Sequence, residues 1–172
     1  QMLSHPDGIS SALLGKELGL VNEYNLEPAL GSGDIVSNAV NPGAPVYAIS
    51  GMKGAMVAAN IGGSLRVFQR VSYSGTATIG GETLGDTLCK PSQVNWLDLN
   101  GTTISGAQAQ ELMQLLLDDA DFHSTGLSGK GSLQIGLNNG LTLQLMVGED
   151  TISACGIWSC PDFFEAFADA VN

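Results

Sequence analysis

Between Leu133 and Trp158 the chain alternates apolar and polar residues with a period of two. Leu133, Ile135 and Leu137 alternate, and so do Leu141, Leu143, Leu145 and Val147. This is the pattern of strands that bury one face. A two-residue Asn139–Gly140 turn would pair Leu137 with Thr142 and set the two apolar rows on opposite faces. A three-residue loop, Asn138–Asn139–Gly140, pairs Leu137 with Leu141 and Ile135 with Leu143, and every aliphatic then shares one face. The three-residue loop is therefore expected, with Gly140 in the left-handed bulge position. A third strand follows Gly148–Glu149–Asp150. Pairing Val147 with Ile152 would place Ala154, Gly156 and Trp158 on the buried face, and Cys155 and Ile157 on the other.

Two helical patterns flank these strands. After a strand over Val94–Leu99, ending at Asn100–Gly101, Ser105 and Gln108 have the spacing of a capping box. Ala109, Leu112, Met113, Leu116 and Ala120 then fall on one helical face. Asp118, Asp119 and Asp121 gather at the C-terminal end of this helix, where the helix dipole disfavours them. Pro161 opens a last helix at the position where its missing N–H costs nothing. Phe163, Phe164, Phe167, Ala168 and Val171 form its apolar side, and Asp162 and Glu165 suit its N-terminal end.

The first half is less regular. Ile9–Leu20 reads as a short helix with Ile9, Ala12, Leu13 and Leu20 on one side, weakened by Gly15 and Gly19. Asn22–Pro45 is rich in Pro and Gly and reads as loop or extended chain, with a turn of helix near Asp34–Val40. Val46–Ser50, Ala55–Ile61 and Leu65–Tyr73 read as strands, the last two joined at Gly62–Gly63, and Thr76–Ile79 as another. The expected fold class is α+β: a two-layer sandwich in which an antiparallel meander sheet is covered by amphipathic helices, with two loosely similar halves. Residues 1–45 are expected to form a helix or extended arm packing on an α+β domain of residues 46–172, the whole making a single domain.

Composition narrows the function classes. The 172 residues are one domain's length. There are 17 acidic residues against 6 Lys plus Arg, for a net charge of −11. Such a chain repels phosphate backbones and anionic membrane surfaces, which excludes nucleic acid as a partner and leaves a protein or a small molecule. No apolar run reaches the roughly 18 residues of a membrane span, so this segment is not expected to insert directly. Charged residues make up only 13% of the chain and Gly accounts for 23, a composition common in secreted and cell-surface proteins, and small amphipathic helices laid on a sheet are an arrangement found in small bacterial secreted domains. An extracytoplasmic or secreted location is expected, with a leader or anchor preceding Gln1.

Candidate chemistry is sparse. The cysteines are Cys89, Cys155 and Cys160, and only Cys155 and Cys160 are close enough in sequence to suggest a disulfide. Their four-residue gap is not that of a zinc knuckle. Asp118, Asp119, Asp121 and His123 are the weak candidates for a divalent cation, since carboxylates suit hard cations, but they lack the alternating ligands and distant Glu of a calcium loop. His5-Pro6-Asp7 resembles the signature tripeptide of J-domain co-chaperones, without the basic helix that precedes it there. Gly126–Gly131 resembles a phosphate loop but lacks the spacing before Gly-Lys and the Ser or Thr after it, and it precedes a strand. Asn100-Gly101-Thr102 is a formal glycosylation sequon that a turn explains equally well. No G-x-S-x-G elbow occurs.

No catalytic residue and no cofactor site is assigned on this basis. The expected function is a non-enzymatic extracytoplasmic domain that binds, senses or inhibits. The alternatives are a hydrolase assembled from scattered acids, a His or a Cys, and a structural or assembly module. Trp96, Tyr73, Tyr47 and Met52 are the candidates for a binding face. So is the uncharged outer side of the strands, with Gln134, Thr142, Gln144 and Met146.

Overall fold

The computed structural model describes residues 2–3, 8–27, 34–70, 83–124 and 129–171. The expected strand Thr76–Ile79, Tyr73, His5-Pro6-Asp7 and the first half of Gly126–Gly131 lie outside these residues. The protein is mixed α+β, with three α-helices and two larger antiparallel sheets among the described residues. It divides into two compact units, Gln1–Arg70 and Val71–Asn172.

The first unit contains β1 (Leu14–Leu20), β2 (Glu23–Tyr24), β3 (Val36–Ser37), β4 (Pro45–Ile49), β5 (Met56–Ile61) and β6 (Ser64–Gln69). Its sheet has the order β1-β4-β5-β6, while β2 and β3 form a separate short parallel pair. The β5–β6 hairpin turns at Gly62–Gly63, with Ile61 opposite Ser64, as the sequence predicts. Val21, Val40, Val46 and Ala59 make a local core.

Two expectations for this unit are corrected. Ile9–Leu20 is not a helix: a 3-10 turn at Ser11–Leu13 leads straight into strand β1. The two glycines that weaken a helix there are tolerated at the irregular β1–β4 pairing, where Gly19 lies opposite Val46 and the register shifts twice. The turn of helix expected near Asp34–Val40 is strand β3 followed by a bend, because the Ser37 hydroxyl accepts the N–H groups of Ala39 and Val40 and so competes with helical pairing.

The second unit contains α1 (Leu84–Thr87), β7 (Val94–Leu99), β8 (Thr102–Ser105), α2 (Ala107–Asp119), β9 (Asp121–Ser124), β10 (Gly131–Leu137), β11 (Thr142–Val147), β12 (Thr151–Ser153), β13 (Ile157–Ser159) and α3 (Pro161–Ala170). Its seven-stranded sheet has the order β8-β7-β10-β11-β12-β13-β9, antiparallel throughout. The chain makes the β7–β8 hairpin at one edge, passes through α2 to β9 at the other, and returns to the middle as β10.

The β10–β11 register is the one that hydrophobic phasing demands. Ile135 lies opposite Leu143 and Leu133 opposite Leu145. The Leu137 N–H donates to the Leu141 carbonyl at 2.8 Å, and the Gly140 N–H to the Leu137 carbonyl at 3.0 Å. Gly140 has φ +85°, and a Cβ there would meet nothing within 4 Å. Gly140→Val is therefore expected to cost about 2 kcal/mol through backbone strain alone. Gly140→Asn should cost much less, because Asn tolerates the left-handed region. Urea midpoints of the two variants check this; equal stability of Gly140→Val and the parent would contradict it.

The residues of the expected buried face are buried, from Leu133, Ile135 and Leu143 at 0% exposure to Trp158 at 6%, but Cys155 and Ile157, expected on the other face, are buried as well. The helices contribute Ala109, Leu112, Met113 and Leu116 from α2, and Phe163 and Phe167 from α3. Helix α2 packs against β7, β8 and α3.

Two local expectations fail here. Ser105 does not cap α2. It is the last residue of β8, and the cap position is Gly106, at φ +68° and ψ −142°. The run Thr102-Thr103-Ile104 favours a strand, and Gly106 then permits a strand-to-helix corner that a side chain would resist. The third strand is not continuous either. It ends at Ser153 and reverses through Ala154-Cys155-Gly156, so that β13 pairs back on β12 with Ile152 opposite Trp158. Cys155 takes φ +52°, and the Trp158 indole N–H donates to the Ala154 carbonyl at 2.9 Å across the reversal.

The acids at the end of α2 also find an explanation. Asp119 Oδ2 accepts the N–H groups of Asp162 at 2.9 Å and Phe163 at 3.3 Å, capping α3 from a residue 43 positions earlier. Its charge offsets the positive end of a second helix dipole. Asp119→Ala is expected to lower stability by about 1 kcal/mol, the usual value of a cap, with Asp118→Ala near neutral as the control. Thermal melts read both.

Candidate functional site

The pairings that build the core also lay out the opposite face of the seven-stranded sheet. Thr103, Asp98, Gln134 and Gln144 form one cross-strand row over β8, β7, β10 and β11. Ser105, Trp96, Gly136 and Thr142 form the next. A register shift between the Trp96–Gly136 and Val94–Leu137 pairs leaves Asn95 as an extra residue. This bulge lets Val94 and Leu97 both face the core while Trp96 and Asp98 face outward. The Asn95 carbonyl accepts the Gly106 N–H at 2.9 Å, which ties the bulge to the start of α2.

Trp96, Asp98, Thr103, Ser105, Ser132 and Gln134 line a shallow, open concavity of about 550 Å³ on this face. Trp96 is half-buried. Its indole occupies the place a side chain would take at residue 136, since a Cβ on Gly136 would collide with its Cε2 and Nε1 atoms. Glycine in the middle of a strand usually marks a close approach of this kind.

Asp98 is held in place. Its Oδ1 accepts the Gly101 N–H at 2.9 Å and its Oδ2 accepts the Thr103 hydroxyl at 2.7 Å. A carboxylate has about four acceptor sites, so capacity remains on both oxygens. Ser132 is positioned through its backbone, whose N–H donates to Asn100 Oδ1 at 2.9 Å. Among the described residues the lining thus combines an aromatic ring, hydroxyls, an amide and one carboxylate, and contains no Lys or Arg.

The remaining sequence candidates are dispersed. Met52 is in the core at 5% exposure, and Tyr47 is half-buried in β4. Asp118 accepts the Gln114 amide at 2.9 Å, Asp119 caps α3, and Asp121 and His123 are exposed on β9. Among the described residues no group of three or more His, Cys, Asp or Glu is placed to hold a metal ion.

Cys89, Cys155 and Cys160 are buried thiols, and Cys155 and Cys160 are not joined in a disulfide. Burial pushes the Cys89 thiol up to about 12. Burial, with Asp119 and Asp150 nearby, does the same to Cys160, also up to about 12. Near neutral pH both are protonated and poor nucleophiles.

A second, smaller cavity of about 190 Å³ lies in the first unit, lined by residues such as Val21, Val40, Val46, Ala59 and Phe68. It belongs to that unit's apolar core. Its polar side chain, Ser37, is engaged with the backbone of Ala39 and Val40. No helix among the described residues is long and apolar enough to cross a membrane.

Comparison with protein-family models, curated proteins and solved structures gave no match to this chain.

Of the six lining residues named, the sequence singled out Trp96 and Gln134 as possible surface contacts. Asp98, Thr103, Ser105 and Ser132 were missed. The signal that could have found them is the β-branched run after Asn100–Gly101. Read as a hairpin, it places Thr103 beside Asp98 and Ser105 beside Trp96.

Proposed function

We propose that the chain is a non-enzymatic extracytoplasmic binding domain, and that the concavity around Trp96 is its binding face. The observation that carries this reading is the indole laid over Gly136 among polar side chains. A large aromatic surface kept half-exposed on a sheet, when a core lies on the other side, favours contact with a partner. The larger sheet and its helices are read as the two-layer sandwich expected from sequence, with the antiparallel meander turning its outer face to that partner. The protonated Cys89 and Cys160 and the lining, which among the described residues holds neither His nor Cys, favour binding over hydrolysis. The low charge content and high glycine content favour a location outside the cytoplasm.

The test is ligand-observed NMR with mixed libraries of uncharged small molecules and short peptides, on the parent chain and on Trp96→Ala. At least one class should bind the parent and be lost in the variant, while the variant's stability changes by no more than about 1 kcal/mol, as for a substitution away from the core. Binding that survives Trp96→Ala would remove this face from the account. Location is tested separately by protease accessibility of the tagged protein on intact source cells, where protection from protease would contradict an exposed site.

A further inference from the structure

We infer that the concavity around Trp96 takes a neutral saccharide. This rests on the binding-face reading above and adds the chemical class of the ligand. The lining decides against the alternatives one at a time. An anionic ligand would meet the Asp98 carboxylate without a compensating cation, on a chain of net charge −11. A cationic ligand would find a single carboxylate already shared with Gly101 and Thr103. A lipid or other apolar ligand needs enclosure, whereas this concavity is shallow and open.

A pyranose fits what remains. One face of such a ring presents C–H groups of partial positive charge, which pack on the negative face of an indole. Its rim carries neighbouring hydroxyls. The two Asp98 oxygens are oriented by internal hydrogen bonds and can each accept from one of a pair of adjacent hydroxyls. Ser105, Ser132 and Gln134 supply further donors and acceptors. Their side chains have no hydrogen-bond partner among the described residues, so a ligand need not displace an existing bond. The volume, about 550 Å³, is within the roughly 300–1,000 Å³ of small-ligand sites.

The experiment is a titration of the full chain with neutral mono- and oligosaccharides of glucose, galactose, mannose, xylose and N-acetylglucosamine. The two indole N–H resonances are followed by NMR. Trp96 lines the concavity and Trp158 is committed to the Ala154 carbonyl, so a binding saccharide should move the Trp96 signal and leave Trp158 in place. Asp98→Ala should weaken binding about tenfold or more, since bonds to a charged acceptor are among the stronger ones. Gln134→Ala, which breaks no internal bond, should weaken it several-fold. A parallel series uses uncharged extended peptides. If peptides move the Trp96 signal and no saccharide does, the saccharide assignment is overturned and the binding face stands. If neither series moves it, both are overturned. If a saccharide binds with the Trp96 signal unmoved, the site is elsewhere and the assignment again fails.

Discussion

Phe163→Ala is expected to lower the stability of the second unit by about 3–5 kcal/mol, the range for removing a buried phenylalanine. Phe163 is 0% exposed, packs edge-on against Phe164 with ring centroids 5.3 Å apart, and meets Phe167 in a tilted arrangement at 6.0 Å. Its N–H and that of Asp162 both meet the Asp119 carboxylate, so the apolar side of α3 and its cap are set at the same turn. Truncation leaves a cavity beneath a helix of ten residues, which is too short to hold itself. Phe164→Ala, at a half-buried position, should cost markedly less. Both tryptophans, Trp96 and Trp158, lie in the second unit, so tryptophan fluorescence in urea reports this unit selectively. A cost below about 1 kcal/mol for Phe163→Ala, no more than a surface change, would mean that α3 is not part of the core.

Trp158→Ala is the second large effect, again about 3–5 kcal/mol. Trp158 is 6% exposed and sits edge-on to Phe122, with centroids 5.4 Å apart. It lies opposite Ile152 in one direction and Phe122 in the other, so it joins β12 to β9 through β13. Its indole N–H holds the Ala154 carbonyl beside Cys155, which is left-handed. Trp158→Phe keeps a six-membered ring but loses the hydrogen bond and the packing of the pyrrole part, and should cost about 2 kcal/mol, less than the alanine variant. On a unit of this size the alanine variant should lower the melting temperature by more than about 10 °C. Circular dichroism follows the melt without the lost fluorophore. A phenylalanine variant as damaging as the alanine one would show that the hydrogen bond, rather than the packing, holds the reversal.

The contrast between these core residues and the concavity explains what the sequence makes legible. The β10–β11 register is readable because a shift of one residue would turn Ile135 and Leu143 to opposite faces, and only one loop length avoids that. Helix α3 is readable because Pro161 and the spacing of Phe163 and Phe167 agree. Strand β1 is not, because its partner β4 lies some thirty residues on and its leucines stay partly exposed, with Leu18 at 46% and Leu20 at 50%. Its apolar spacing therefore carries no core signal. Ser105 misleads because Ser and Gln at capping-box spacing also arise when a strand turns sharply into a helix at a glycine. The reversal at Cys155 is hidden because a non-glycine residue takes the left-handed conformation there.

The concavity itself is only half visible in sequence. Trp96 and Gln134 stand out as an aromatic and as an outward-facing polar residue, but their neighbourhood depends on β7 pairing with β10 across some forty residues. Asp98 looks like any surface acid until Thr103 and Gly101 are seen to hold it. Gly136 looks like a weak point in a strand until the indole above it is placed.

The most direct test of the binding face is a backbone amide shift map recorded while the chain is titrated with the tightest ligand of the two series. The account predicts that the largest shifts fall at Trp96, Asp98, Thr103, Ser105, Ser132 and Gln134, with residues of the first unit unmoved. Shifts centred on the cavity at Val21, Val40 and Val46, or on His123 and β9, would contradict it.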